Sequence, residues 1–178
     1  MAPKPPRAAA AAPAPAPVAR GPAAPHVEAF VARHQAAAES ASHITGIPAG
    51  YILGQAALES GWGRREIRAQ GGAPSYNLFG IKASALWQGK TVDTTTTEYV
   101  GGRAQQRTER FRAYGSYAEA FEDYARLLRA SPRYAAALKA GHSVEAFARE
   151  MGRSGYATDP RYGTKLAQVI HTAIQAIA

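Results

Sequence analysis

Most of this chain alternates hydrophobic and polar positions with the period of a helix. Val27, Phe30, Val31, His34 and Ala38 recur at spacings of three and four, predicting a helix from about His26 to Ser42 that is stopped at Thr45-Gly46. A second opens at Pro48, where the missing amide hydrogen costs nothing in the first turn. It carries Tyr51, Ile52, Gln55, Ala56, Leu58 and Glu59 before Ser60-Gly61-Trp62-Gly63 ends it. Gly71 to Asn77 cannot continue a helix and reads as a loop. The period then changes: Val92 to Val100 is dense in β-branched residues, and Gly101-Gly102 turns the chain into Arg103 to Tyr114. This is a β-hairpin with Glu98 near its tip, on the face shared by Thr96 and Val100. Helical spacing then returns. Ser116 caps a run with Ala120, Phe121, Tyr124, Leu127 and Leu128 on one stripe, Pro132 opens a short helix through Lys139, and Ser143 caps Val144 to Met151. Asp159-Pro160 predicts the start of a terminal helix with the stripe Leu166, Val169, Ile170, Ala173 and Ile177. The expected fold class is mainly α (α+β), one helical domain interrupted by a small hairpin, with no internal repeat.

Composition shortens the working protein. Of the 12 prolines in 178 residues, eight precede His26, in a stretch that also holds Ala8 to Ala12 and no acidic residue. Alternating Ala and Pro lacks the large apolar groups that offset the entropy of ordering, so residues 1–25 are expected to form a disordered, semi-extended linker. Residues 26–178 remain as a single domain with room for one sizeable core. An initial Met leading straight into a linker suggests a domain excerpt or a short stand-alone form, with the arm as a tether to an upstream partner.

The formal net charge is +8, and three of the 21 basic residues lie in the arm while all 13 acidic ones lie beyond it, leaving +5 on the domain. Such an excess suits any polyanion. No RNP-like, zinc-finger or basic-zipper pattern and no dense basic block accompanies it, so nucleic acid is not an expected partner, whereas an anionic cell envelope is attracted by the same field. The absence of cysteine excludes a disulfide framework, a Cys-based zinc site and a thiol nucleophile. No segment approaches a transmembrane span and the amino terminus lacks the apolar core of a cleavable signal, so membrane insertion is not expected. The five histidines have no HExxH-like spacing, and neither a metal nor another cofactor is expected.

The chemistry centres on Glu59, in Gln55-Ala56-Ala57-Leu58-Glu59-Ser60-Gly61-Trp62-Gly63. Apolar residues before it and small or aromatic ones after it direct the carboxyl from a packed helix into a cleft. Burial beside an aromatic disfavours the charged form, raises the pKa and keeps a proton available near neutral pH, as protonation of a glycosidic oxygen requires. The competing reading is that Glu59 caps a turn or pairs with Arg64 or Arg65. Asp159 is better explained as a helix cap than as a further catalytic acid.

Six blocks then occur in order: AALESGWG (56–63), YNLFGIK (76–82), TTEY (96–99), FRAYGSYAEAFEDYARLL (111–128), PRYAAAL (132–138) and GYATDPRY (155–162). With these the chain resembles the β-N-acetylglucosaminidases of glycoside hydrolase family 73, including the carboxy-terminal domains of the family's flagellar peptidoglycan hydrolases. The resemblance implies a lysozyme-like α domain with a β-lobe, acting on the glycan strand of peptidoglycan. It implies Glu59 as the catalytic acid, Glu98 as a second glutamate on the β-lobe and Tyr156 as part of the active site.

Glycoside cleavage needs an acid for the leaving oxygen and a carboxylate on the other side of the sugar, so the two-glutamate pattern agrees with the chemistry. With one on a helix and the other on a mobile hairpin, Glu98 is expected far from Glu59 in the free protein and close when glycan binds. A substrate-assisted route, in which the sugar's own acetamido group attacks with Tyr156 orienting it, is the alternative to a role for Glu98. Trp62, Tyr76, Phe79, Trp87 and Tyr99 are candidates to stack on sugar faces, with core packing the competing role and the favoured one for Phe79. Asn77 is expected to orient its loop, with contact to an N-acetyl group as the alternative, and Tyr124 is expected to pack.

The leading function is hydrolysis of the β-1,4 bond after N-acetylglucosamine. A muramidase or lytic transglycosylase on the same glycan, and a non-catalytic wall-binding or rod-assembly module, are the alternatives. The resemblance further implies wall remodelling during flagellar rod assembly, rod components as partners, a periplasmic location reached without a cleaved signal, and a monomer.

Overall fold

The computed structural model describes residues 21–177; the expected Ala/Pro arm lies, up to Arg20, outside the described residues. Helix α1 spans Pro25–Thr45 and ends at Gly46, and α2 spans Ala49–Ser60. Strands β1 (Thr91–Val100) and β2 (Arg103–Arg112) pair antiparallel. Helix α3 (Tyr117–Ala130) follows, then a 3-10 turn (Pro132–Tyr134), α4 (Ala135–Lys139), α5 (Val144–Arg153) and α6 (Tyr162–Ala176). The mainly α body with one hairpin is the architecture that the periodicity predicts. Among the described residues, no helix is long and apolar enough to cross a membrane.

The predicted stripes form the core. Val27, Phe30, Val31, His34 and Ala38 of α1 are buried, as are Ala120, Phe121, Tyr124 and Leu128 of α3 and Leu166, Ile170 and Ala173 of α6. Ser116 and Ser143 cap α3 and α5, accepting from the amides of Glu119 and Ala146. Helix α2 is buried almost all round and packs tightly on α6. A Cβ on Gly54 would lie 2.7 Å from Ile170 Cα, so only glycine allows the two backbones to approach this closely. That approach brings the start of α6 beside the end of α2.

Three boundaries differ from expectation. Pro25, assigned to the linker, is the first residue of α1. The helix expected from Pro132 is a 3-10 turn running into α4, because Tyr134 sits at φ −100° and interrupts the regular spiral. Helix α6 starts at Tyr162, not at Asp159-Pro160. Asp159 Oδ1 accepts the Arg161 amide at 2.8 Å and its carbonyl accepts the Tyr162 amide, so Asp159 shapes a separate turn before the helix.

The hairpin is held at its two ends. At the base, Val92 and Phe111 face each other and are buried, and Ile81–Ala83 runs beside β2 through the Arg112 amide to Ile81 and the Ala83 amide to Arg110. Near the tip, the Tyr99 amide donates to Thr158 Oγ1 at 2.8 Å. Hydrogen bonds to the loop before α6 thus fasten the hairpin near its tip.

Candidate active site

Glu59 stands in the last turn of α2, and the chain after it is shaped to stop the helix at once. Ser60 Oγ donates back to the Ala56 carbonyl at 2.7 Å and accepts from the Gly63 amide at 3.0 Å. Gly61, Trp62 and Gly63 then take left-handed conformations, with φ of 57°, 58° and 78°. For Trp62 this costs on the order of 1–3 kcal/mol, a strain that the surrounding structure must hold. Trp62 lies edge-on to Phe30, with ring centroids 5.6 Å apart.

The Glu59 carboxyl does not pair with Arg64 or Arg65 among the described residues. Arg64 Nε instead donates to the Gly61 carbonyl, and Arg65 lies against Gly61. The carboxyl is seated on Gly80, in the loop that follows Asn77. A Cβ there would come within 2.9 Å of Glu59 Oε2, and Gly80 has φ +64°, so both the seat and the turn require glycine. The Phe79–Gly80 peptide is in turn fixed by Tyr156, whose hydroxyl donates to the Phe79 carbonyl at 2.5 Å.

Although Glu59 keeps some surface, its carboxyl is desolvated by packed neighbours. Burial pushes its pKa up, hydrogen bonding from Tyr162 opposes that, and the charge of Glu98 adds to the rise, leaving it at about 7. A carboxyl in this state holds a proton to near neutral pH.

Glu98 sits in the opposite environment. Lys82 Nζ lies 2.6 Å from its Oε1, and Thr158 Oγ1 donates to its Oε2 at 2.9 Å. Partial burial alone pushes its carboxyl up, but the hydrogen bonds from Lys82 and Thr158 and the charges of Lys82 and Arg107 outweigh that and hold it below its usual value. The site therefore contains one protonated and one ionised carboxyl near neutral pH. Each has a separate cause.

The other expected residues divide. Tyr99 reaches the site through its backbone amide on Thr158. Tyr76, like Trp62, has a positive φ, 58°, and lies edge-on to Tyr117, which meets the His34 ring that also contacts Phe30. The two strained aromatics thus belong to one run of rings, Trp62–Phe30–His34–Tyr117–Tyr76. Trp87 is elsewhere: it stacks on the Arg112 guanidinium, 4.6 Å from its ring, and donates from Nε1 to the Lys90 carbonyl, at the hairpin base. Glu98 pairs with Gln105 near the tip, seven residues and roughly 23 Å along the strand from the Thr91–Arg112 pair. Phe79 is wholly buried and stacks on Tyr124 at 4.2 Å, the packing role favoured for it. Asn77 is buried with its amide spent on the loop, Nδ2 donating to the Ile81 and Arg112 carbonyls and Oδ1 accepting from the Phe79 and Ile81 amides. That arrangement orients the loop carrying Gly80 and leaves no free amide proton for an N-acetyl group.

Five participants escape the sequence reading: Gln55, Gly80, Lys82, Thr158 and Tyr162. Gln55 enters there only as a member of its helix, and Gly80, Lys82, Thr158 and Tyr162 only within the blocks YNLFGIK and GYATDPRY. A concavity of about 750 Å³ between α5 and α6 touches the site through Thr158 and Tyr162 but is lined by neither glutamate. Chemistry, not volume, locates the site. Among the described residues no cluster of His, Asp and Glu suited to a metal occurs.

The fold is shared with known proteins. The chain is 50% identical over 143 residues to the Peptidoglycan hydrolase FlgJ of Escherichia coli (strain K12), covering 80% of this chain and 45% of that protein. It therefore spans less than half the length of that relative. A crystallised peptidoglycan hydrolase mutant from Sphingomonas sp. A1 is 49% identical, with a TM-score of 0.78 over 84% of this chain and 97% of the other. A C-terminally truncated glycoside hydrolase domain from Salmonella typhimurium FlgJ is 46% identical, with a TM-score of 0.68 over 85% and 99% of the two chains. The body and hairpin are thus those of the lysozyme-like glycoside hydrolase domains. Residues 35–175 match the glucosaminidase family, described as mannosyl-glycoprotein endo-beta-N-acetylglucosaminidase, and the chain belongs to that family.

Proposed function

We propose that the protein is a peptidoglycan hydrolase that cleaves the β-1,4 bond between N-acetylglucosamine and N-acetylmuramic acid, with Glu59 as general acid. The observation that carries this reading is the pair of carboxyls held in opposite states, Glu59 protonated to about pH 7 and Glu98 ionised by Lys82 and Thr158. Glu59 delivers its proton to the glycosidic oxygen as the bond breaks. Glu98 faces the positive charge that develops on the sugar, or takes a proton from the attacking water. Tyr156 fixes the loop on which the Glu59 carboxyl rests, and Trp62 and Tyr99 are the candidate sugar contacts. No cofactor enters the reaction.

The relatives' activity supports this substrate, and a substrate in the wall places the protein in the periplasm or at the wall. The setting, local wall remodelling during flagellar rod assembly with rod components as partners, is part of the same proposal and rests on the resemblance to flagellar hydrolases. Digestion of purified sacculi followed by mass spectrometry tests the reaction. Reducing N-acetylglucosamine ends are expected. Reducing muramic ends or 1,6-anhydromuramic ends would replace it with a muramidase or a transglycosylase, and no release of fragments would leave a wall-binding module.

A further inference from the structure

We propose that a buried chain of three side chains, Tyr124, Gln55 and Tyr162, positions the Glu59 carboxyl and decides which of its oxygens carries the proton offered to the cleft. The inference rests on the reading of Glu59 as the acid and adds a set of positioning residues behind it.

Gln55 lies one turn before Glu59 on α2 and is completely buried. A primary amide in that position must find partners inside the protein. Tyr124, from α3 and equally buried, donates its hydroxyl proton to Gln55 Oε1. Gln55 Nε2 then donates to the Tyr162 hydroxyl oxygen at 3.0 Å. Each bond sets the direction of the next. The Tyr124 hydroxyl has one proton and spends it on Gln55, which fixes the amide with its nitrogen toward Tyr162. The Tyr162 oxygen is thereby an acceptor, and its own buried proton is left for the Glu59 carboxyl, one helical turn beyond Gln55.

Two consequences follow for the acid. The Glu59 oxygen that accepts from Tyr162 is occupied by that bond, so the transferable proton resides on the other oxygen. After transfer, the carboxylate remains facing a donor that strengthens as the charge forms. Burial holds the Tyr124 and Tyr162 hydroxyls well above their usual pKa, so both act as neutral donors throughout. Three helices bring polar atoms into an otherwise apolar interior here. Such a network raises the stakes of every member, because losing one strands the next without a partner.

The charged and titratable groups facing Glu59 are Glu98 from β1, itself neutralised by Lys82, Tyr124 from α3, Tyr156 from the loop before α6, and Tyr162. Of these, Tyr162 is the one whose proton the chain from Tyr124 through Gln55 leaves for Glu59. Tyr162→Phe removes that donor and keeps the ring, and Tyr124→Phe frees the Gln55 amide to turn over. The expected result for Tyr162→Phe is a kcat lowered about tenfold with KM within about twofold, and a basic limb of the pH profile moved up by about one pH unit. Tyr124→Phe is expected to move both in the same direction and by less. Carboxyl titration of labelled Glu59 by NMR, on the same folded variants, reads the shift without turnover. A limb and a titration that both stay in place in Tyr162→Phe would overturn the proposal, and if that variant does not fold, the same outcome in Tyr124→Phe decides. Should Glu59→Gln prove fully active while the titration still shifts, the acid assignment fails and the positioning chain stands.

Discussion

The helical body and the hairpin each contribute one glutamate, and they treat the same side chain in opposite ways. In the body, Glu59 ends a helix buried almost all round, rests on Gly80 and is approached by tyrosines, so its charge is penalised. On the hairpin, Glu98 is partly exposed and held between Lys82 and Thr158, so its charge is favoured. Two carboxyls become acid and anion through placement alone, one by exclusion of water and the other by a cation and a hydroxyl. A rigid element suits the first because desolvation needs dense packing. A ribbon fastened at its base and tip suits the second, because pairing needs only a few contacts.

The largest effects come from removing either member. Glu59→Gln should lower turnover of purified sacculi by about 10³-fold or more, the scale of a lost general acid, and Glu98→Gln by roughly 10²-fold. Equal activity of Glu98→Gln and the parent would break the comparison and favour assistance by the substrate's acetamido group. Gly80→Ala should reduce kcat by about tenfold, since the new methyl meets Glu59 Oε2 in a backbone conformation unfavourable to alanine; the destabilisation measured by thermal unfolding should be about 1 kcal/mol or more.

Stability sharpens the contrast by sign. The raised pKa of Glu59 means that between its unfolded value and about 7 the folded state holds a proton that the unfolded state has released. The stabilisation associated with it is present in full below the unfolded pKa and is lost as pH rises through about 7. Glu59→Gln should therefore gain in melting temperature relative to the parent as pH goes from 4.5 to 8. Glu98, with its pKa lowered, loses its contribution as pH falls, so Glu98→Gln should show the opposite slope. Thr158→Val is the mildest change: it removes the tip latch but leaves Lys82 on Glu98, and a two- to threefold loss in kcat/KM is expected, with KM affected more than kcat.

Much of this arrangement was legible in the chain because it is encoded locally. Helical stripes, the β-branched run and the Gly-Gly turn each depend on near neighbours, and Glu59 stands out because its own helix is apolar. What stayed hidden depends on residues far apart in sequence. Gln55 fits its stripe as any buried residue does, and its role emerges only when Tyr124 and Tyr162 arrive from other helices. Gly80 reads as a loop glycine until the Glu59 carboxyl is set against it. Asp159-Pro160 carries a real turn signal that the chain spends on the turn leading into α6, with the Asp159 side chain accepting from the Arg161 amide and its carbonyl from the Tyr162 amide.

The most direct test is to titrate the two side-chain carboxyls in the free, folded protein, following labelled Glu59 and Glu98 by NMR from pH 2.5 to 9. Glu59 is predicted to lose its proton at about 7 and Glu98 below the ordinary glutamate range, with the Glu59 signal absent in Glu59→Gln. Two glutamates titrating together near their ordinary value would contradict the division of roles between body and hairpin.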